Sequence, residues 1–366
     1  MINERISKLR KLMAKRNIDA YIVPSSDPHQ SEYLADYYKT RQFITGFTGS
    51  AGTAVITTKK SGLWTDGRYF IQAAKELSVG EVELYKMGVP DSISIEEFLL
   101  KEFPNGVAKI AFDGNNTSVA EYENLMRKLP NFEFITDVDY IGDIWNEEGR
   151  PAKPDSKVYI FDEKYSGEST SDRIVRLRSM MKERGIDYHF IGSLDDIAYV
   201  LNIRANDVQC NPVVISYLLI SENTCNLYID KSKLSQEVAD YLKENNISIK
   251  AYEVIARDIS DIEAKKTLYL ETKKTNVAVY SSIGRGVNVV TGLNLTSIMK
   301  CHKNEIEIKN TKNAFIKDGV ALVRYLNWLE TGVSTGTITE MIASEKLLEF
   351  RKQQDLFIED SFESIS

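Results

Sequence analysis

The stretch "ISKLRKLMAKRNIDAYIVPSSD", residues 6 to 27, returns later in the chain as "IVRLRSMMKERGIDYHFIGSLD", residues 174 to 195. The offset is 168 residues (6 onto 174). It brings Leu9 onto Leu177, Arg10 onto Arg178, Met13 onto Met181, Arg16 onto Arg184, Ile18 onto Ile186 and Asp19 onto Asp187. Each copy reads as an amphipathic helix running into an apolar strand. In the first, Ile6, Leu9, Met13 and Ala14 share one helical face and "DAYIVP" follows. Two amphipathic helices can look alike by chance, but the shared Ile-Asp and the strand behind it favour a true repeat. The chain is therefore expected to hold two units of one plan in tandem.

A second match extends the repeat at an offset of 164 (54 onto 218). "AVITTKKSGLWTD", residues 54 to 66, lies on "LLISENTCNLYID", residues 218 to 230. Each reads as two strands joined by a short polar turn. Leu63 meets Leu227, Trp64 meets Tyr228 and Asp66 meets Asp230. Asp66 thus reads as the end of a strand in both copies. Gly67 and Arg68 have no counterpart, because Lys231 and Ser232 stand in their places. Arg68 is open to two readings. It is a solvated or ion-paired arginine at a strand-to-helix junction, or a planar fork aimed at a carboxylate or carbonyl.

Strands and helices alternate through both units, which predicts mixed α/β layers. The first continues through "EVELYKM", helix "ISIEEFLLKEF", "AKIAFDG", helix "SVAEYENLMRKL" and "FEFITD". The second continues through helix "SQEVADYLKENN", "ISIKAYE", a further helix, and strands "TLYLE" and "NVAVYS". The linker "EEGRPAKPDS", residues 147 to 156, carries Pro151 and Pro154 and marks a boundary. The units are expected at 1–150 and 151–301. A third region, 302–366, opens on a long helix with Ala314, Val320, Ala321, Val323, Leu326 and Leu329 on one face. A second helix follows, with Thr337 and Glu340 as its capping box. "DSFESIS" then reads as the beginning of a strand. Two helices and a strand stub close no core, so this region is expected to be the cut-off start of a third domain.

The 366 residues are 43% hydrophobic and 27% charged, enough for sizeable cores. A net charge of −7 provides no basic patch for nucleic acid. Three widely spaced cysteines without a CxxC argue against a disulfide framework and for a reducing compartment. The charged N-terminal helix is no signal peptide, and no apolar run is long enough to span a membrane. Among three histidines, His29 stands three residues before Glu32, but one such pair does not complete the ligand set of a metal. Polar neighbours at a helix N-terminus are the plainer reading. His189 reads as a structural histidine in a strand, and His302 lies in a charged linker. "TGFTGSAGTAV", residues 45 to 55, lacks phosphate-loop spacing and precedes a strand, so a tight turn is expected. "IGRGV" is a weak GxG, and no GxSxG or SxxK occurs.

Four stretches together resemble a known family. They are "PSSDPHQSEYLADYYKTRQFITGFTGSAGTAVIT", "LWTDGRYFIQAAKEL", "DDIAYVLNIRANDVQCNPVVISYLLI" and the run from "IKDGVALVRYLNWLE" to "SFESIS". They look like the cytosolic three-domain Xaa-Pro aminopeptidases of the creatinase/prolidase metallopeptidase group, along nearly the whole chain. The resemblance implies an α/β fold: two creatinase N-terminal-like domains, each a mixed sheet with flanking helices, then the first helices of a pita-bread catalytic domain. It implies release of the N-terminal residue from peptides with proline second, two divalent metal ions (usually manganese), a cytoplasmic location and a homodimer. The family's metal ligands lie beyond the strand that begins "SFxSIS", so no metal ligand and no catalytic residue is assigned. The resemblance carries over one site residue, Arg68, as a substrate contact. This chain alone is expected to bind no metal and to be inactive. The alternatives are a non-catalytic peptide- or protein-binding module from a split or degenerate gene, and a truncated product without function.

Overall fold

The computed structural model describes residues 1–365, organised by two six-stranded mixed sheets. The first holds β1 (Ala20–Pro24), β2 (Thr53–Thr57), β3 (Ser61–Thr65), β4 (Val82–Lys86), β5 (Lys109–Ala111) and β6 (Glu133–Ile135), in the order β4-β3-β2-β1-β5-β6. A small ribbon begins with β7 (Tyr159–Ile160). The second sheet begins with β8 (Tyr188–Ile191). The ribbon is completed by β9 (Ile203–Arg204), antiparallel to β7. The second sheet continues with β10 (Ser216–Ser221), β11 (Cys225–Ile229), β12 (Ser248–Lys250), β13 (Thr267–Leu270) and β14 (Asn288–Thr291). Its order is β12-β11-β10-β8-β13-β14.

The sheets are the same strand for strand. β2 runs antiparallel to β1 and β3, as β10 does to β8 and β11. The remaining neighbours are parallel in both. The register carries the offsets read from the sequence: Ile22 faces Val55 as Phe190 faces Leu219. Helix Ile2–Lys15 buries Ile6, Leu9 and Met13 on the first sheet, and helix Thr170–Glu183 buries Ile174, Leu177 and Met181 on the second. Ala14 is exposed rather than buried, and Ile18 in the following turn joins the core instead.

The two units meet in a hydrogen-bonded seam with two-fold character. Val119 N donates to Thr275 O and Val277 N to Thr117 O, both at 2.9 Å. Ala120 N donates to Thr272 O at 3.1 Å and Ala278 N to Gly114 O at 3.0 Å. At an offset of 158 (119 onto 277) the four bonds exchange in pairs. Ser118 and Asn276 face each other at the centre, each capping the helix that follows it. One segment breaks the symmetry. Residues 27–30 cross into the second unit, where Pro28 O accepts from Asn276 Nδ2 at 2.9 Å. The His29 ring, 1% exposed, donates from Nδ1 to Gly192 O at 2.8 Å. A carbonyl only accepts, so Nε2 is left to accept from the Tyr252 hydroxyl at 2.9 Å. The ring also lies 4.4 Å from that of Tyr217.

Several expectations need correction. "NVAVYS" is the helix Val277–Ser281, because the Asn276 side chain accepts from Val279 N and starts a turn. The last strand is β14, further on. His29 lies in a turn and Glu32 in the bend after it, not at a helix N-terminus. The helix Glu340–Lys352 is capped by Thr339, which accepts from Ile342 N, while Thr337 hydrogen-bonds Thr335. No strand forms over residues 361–365, where no neighbouring strand is present to pair with; Ser366 lies outside the described residues.

The helix Glu305–Gly332 docks on the second unit through its first turns. Asn304 donates to Ser166 O at 2.8 Å, Glu307 pairs with the buried Arg173 at 3.7 Å, and Asn310 donates to Lys164 O at 3.1 Å. Of its expected apolar face, Ala321 is buried, whereas Val320, Val323 and Leu326 are exposed.

Burial lowers the pKa of both His29 and His189, the latter to about 4. A histidine held neutral in the fold stabilises fully above about pH 6.5 and loses that contribution as pH falls toward 4. Asp113, raised to about 7 by burial and by Asp139, works in the opposite sense over the same window. The clean measurement is therefore the stability difference between wild type and His189→Asn, followed from pH 7 to pH 4. The wild-type advantage is expected to shrink by up to about 3 kcal/mol; a difference independent of pH contradicts a buried neutral His189.

Candidate functional site

β3 ends at Thr65, and Asp66 caps the short 3₁₀ turn Gly67–Tyr69 by accepting from Arg68 N at 3.1 Å. Asp230 repeats this at the end of β11, accepting from Ser232 N at 2.9 Å. The strand end inferred from the repeat is thus present in both units, with the aspartate capping the turn after it. Asp66 has a second task that sequence reasoning missed. Its two oxygens grip the Arg68 guanidinium, with Nε to Oδ1 at 2.9 Å and Nη2 to Oδ2 at 2.8 Å. Ser232 gives Asp230 nothing comparable to hold. The Asp-x-Arg spacing was the available signal.

Arg68 is consequently a fork fixed in direction. Its side chain is 67% exposed, and Asp66 uses two of the five N–H groups of a guanidinium. The hydrogen bond to Asp66 raises the Arg68 pKa, and the same bond lowers that of Asp66, so both stay charged at ordinary pH. The guanidinium carbon lies 5.2 Å from the Tyr69 ring centroid, and the Tyr69 hydroxyl meets Ser50 Oγ at 2.6 Å. Arg68 is therefore ion-paired at the strand-to-helix junction, with most of its side chain exposed.

Behind this rim the Gly-rich stretch bends at residues 49–51 into β2. A buried Arg41, to which the sequence reading gave no role, pins it. Arg41 donates to Ser25 Oγ at 2.9 Å, to Phe47 O at 2.5 Å and to Gly49 O. Burial lowers its pKa to about 10, which leaves it charged at neutral pH. A Cβ at Gly49 would collide with the rings of Phe47 and Tyr69, so glycine is needed for the bend to pack beside Tyr69. Glu76 accepts from Thr48 N at 2.8 Å and fixes the far side of the same loop.

His29 and His189 take no part in this rim, being buried in the seam and in β8. Among the described residues, no group of three or more His, Cys, Asp or Glu side chains is gathered so as to hold a metal ion. The residues present do not fit the two-metal centre that the resemblance implies.

Residues 5–141 and 149–307 each match a model of the creatinase/prolidase N-terminal domain. Aminopeptidase P2 of Arabidopsis thaliana is 34% identical over 403 aligned residues, which cover 100% of this chain and 56% of that protein. A probable Xaa-Pro aminopeptidase P of Laccaria bicolor is 35% identical, covering 99% of this chain and 57% of that protein. The crystal structure of an X-prolyl aminopeptidase from Caenorhabditis elegans, described as a cytosolic enzyme with a di-nuclear active site, superposes with a TM-score of 0.92. It is 31% identical and covers 99% of this chain and 61% of its own. The chain spans a little over half the length of these relatives.

Thermal melts of two variants separate the roles of the pair. Asp66→Ala loses an N-cap and is expected to cost about 0.5–2 kcal/mol. Arg68→Ala removes an exposed side chain and is expected to melt with the wild type. An early-melting Arg68→Ala beside an unaffected Asp66→Ala would reverse the assignment.

Proposed function

This chain belongs to the aminopeptidase P family, and on that footing we propose that it is the N-terminal portion of a metal-dependent Xaa-Pro aminopeptidase. The whole enzyme releases the N-terminal residue from peptides whose second residue is proline. The observation that carries this reading is Arg68, a cationic fork aimed outward by Asp66 on a domain whose relatives are aminopeptidases along its whole length.

In this proposal Arg68 reaches across a domain boundary and hydrogen-bonds a carbonyl or carboxylate of the bound peptide. A charge-assisted fork of fixed direction orients the substrate without taking part in bond cleavage. The two metal ions, manganese by family expectation, would be held by residues of the catalytic domain and would supply the activated water. The exposed apolar residues of the helix Glu305–Gly332, among them Phe315 and Val323, would be covered by the pita-bread domain that this helix begins. The domains are taken as 1–150, 151–301 and 302–366. A cytoplasmic homodimer is the proposed whole, and this chain alone is proposed to be inactive.

The test uses the full-length enzyme supplied with Mn²⁺ and an Xaa-Pro-Xaa peptide. Wild type is expected to cleave it, Arg68→Ala to lose roughly tenfold or more in kcat/KM, and Arg68→Lys to recover only part, since an ammonium lacks the planar fork. Full activity in Arg68→Ala overturns the residue's role. Binding of the peptide without cleavage by the full-length protein overturns the enzymatic reading in favour of a binding module.

A further inference from the structure

The near-symmetry of the two units exposes a difference between them. In the second unit, the cleft between the sheet and the helices after β12 and β13 is filled by Tyr217, Tyr252 and the incoming His29. The repeat places Thr53 where Tyr217 stands, Pro24 where Gly192 stands and Ser118 where Asn276 stands. Among the described residues no segment makes the reciprocal crossing, because the chain after β8 turns directly into the helix Leu194–Leu201. The first unit accordingly keeps an open cleft of about 450 Å³ at the equivalent position, lined in part by Thr53, Pro24, Ile22, Trp64 and Phe112.

The cleft has a defined chemistry. Its floor is apolar, and Trp64 is fixed in it by a 2.7 Å bond from its indole N–H to Ile93 O. Its rim carries Glu96, Glu97 and Glu121 against one cation, Lys128, which pairs with Glu96 at 2.9 Å. Glu97 and Glu121 each close a capping box, so the two helix N-termini at the rim are satisfied by their own side chains. They attract no further anion, and the rim stays net negative, with three carboxylates facing Lys128 and, beside Glu97, Lys101. Volume and lining match a small-molecule site.

We propose that this cleft is a binding site for a small organic cation with an apolar body, such as an arylalkyl ammonium, its hydrocarbon against Ile22, Pro24 and Leu125 and its charge at Glu97 and Glu121. The assignment does not rest on peptidase activity. It rests on a cleft that one unit fills with its own side chains and the other leaves open.

Phenethylamine is the probe, titrated into the full chain by calorimetry and by tryptophan emission, with 3-phenylpropionate as the anion of similar shape. Phenethylamine is expected to bind saturably and at least fivefold tighter than 3-phenylpropionate. Thr53→Tyr, which installs the second unit's residue, is expected to abolish binding without lowering Tm. Should that variant fold poorly, Leu125→Phe narrows the same cleft from the helix side and decides the matter. The double variant Glu97→Gln, Glu121→Gln keeps both capping boxes, since Gln serves there as well as Glu, and is expected to erase the preference for the cation. Absence of saturable binding to wild type, or binding that survives both narrowing variants, overturns the site. Equal affinity for the two probes overturns its cationic selectivity.

Discussion

The exchange of four backbone hydrogen bonds across Ser118 and Asn276 is the constraint on which the arrangement depends. Those N–H and C=O groups are withdrawn from water at the junction, and leaving them unpaired would cost more than pairing them gains. The docking is therefore specific in register: a one-residue slip would break the whole set. Asn276 ties it together. It caps its own helix, donates to Pro28 O in the other unit, and donates to the Tyr217 hydroxyl at 2.8 Å. His29 closes the remaining gap as a neutral imidazole with both nitrogens satisfied.

Around that seam, two copies of one scaffold have diverged where loops leave the strands. β3 and β11 end on the same capping aspartate, but only the first copy follows it with an arginine for the aspartate to aim. β1 is followed by a segment long enough to cross the seam, whereas β8 is followed at once by a helix. β2 begins with Thr53 and β10 carries Tyr217 at the matching position. Each change alters what a cleft or rim presents without disturbing the sheet beneath it, which is where function accumulates on a rigid scaffold.

The repeat made the fold legible, because buried apolar positions on helices and strands recur with fixed periods. Ile6, Leu9 and Met13 could be matched to Ile174, Leu177 and Met181 before any coordinates. Short elements were less legible. "NVAVYS" has the β-branched content of a strand, but the capping bond from Val279 N to Asn276 and the helical bond from Tyr280 N to Asn276 O start a helix there. Arg68 stood out because it lacked a counterpart. Its grip by Asp66 and the loop pinned by Arg41 are short-range contacts that depend on side-chain direction, which spacing such as Asp-x-Arg suggests but does not fix. The open cleft was invisible because it is defined by a crossing that one unit makes and the other does not.

The central claim is that the seam joins the two units into one cooperative body, and Asn276→Asp tests it most directly. The aspartate still caps the helix but cannot donate to Pro28 O or to the Tyr217 hydroxyl. Thermal unfolding is followed by circular dichroism together with hydrogen exchange at amides in β1 and in β8. The account predicts a single shared transition in wild type, and in Asn276→Asp a lower melting temperature with the two sheets no longer opening together. A variant that melts with the wild type, both sheets still opening as one, would contradict it.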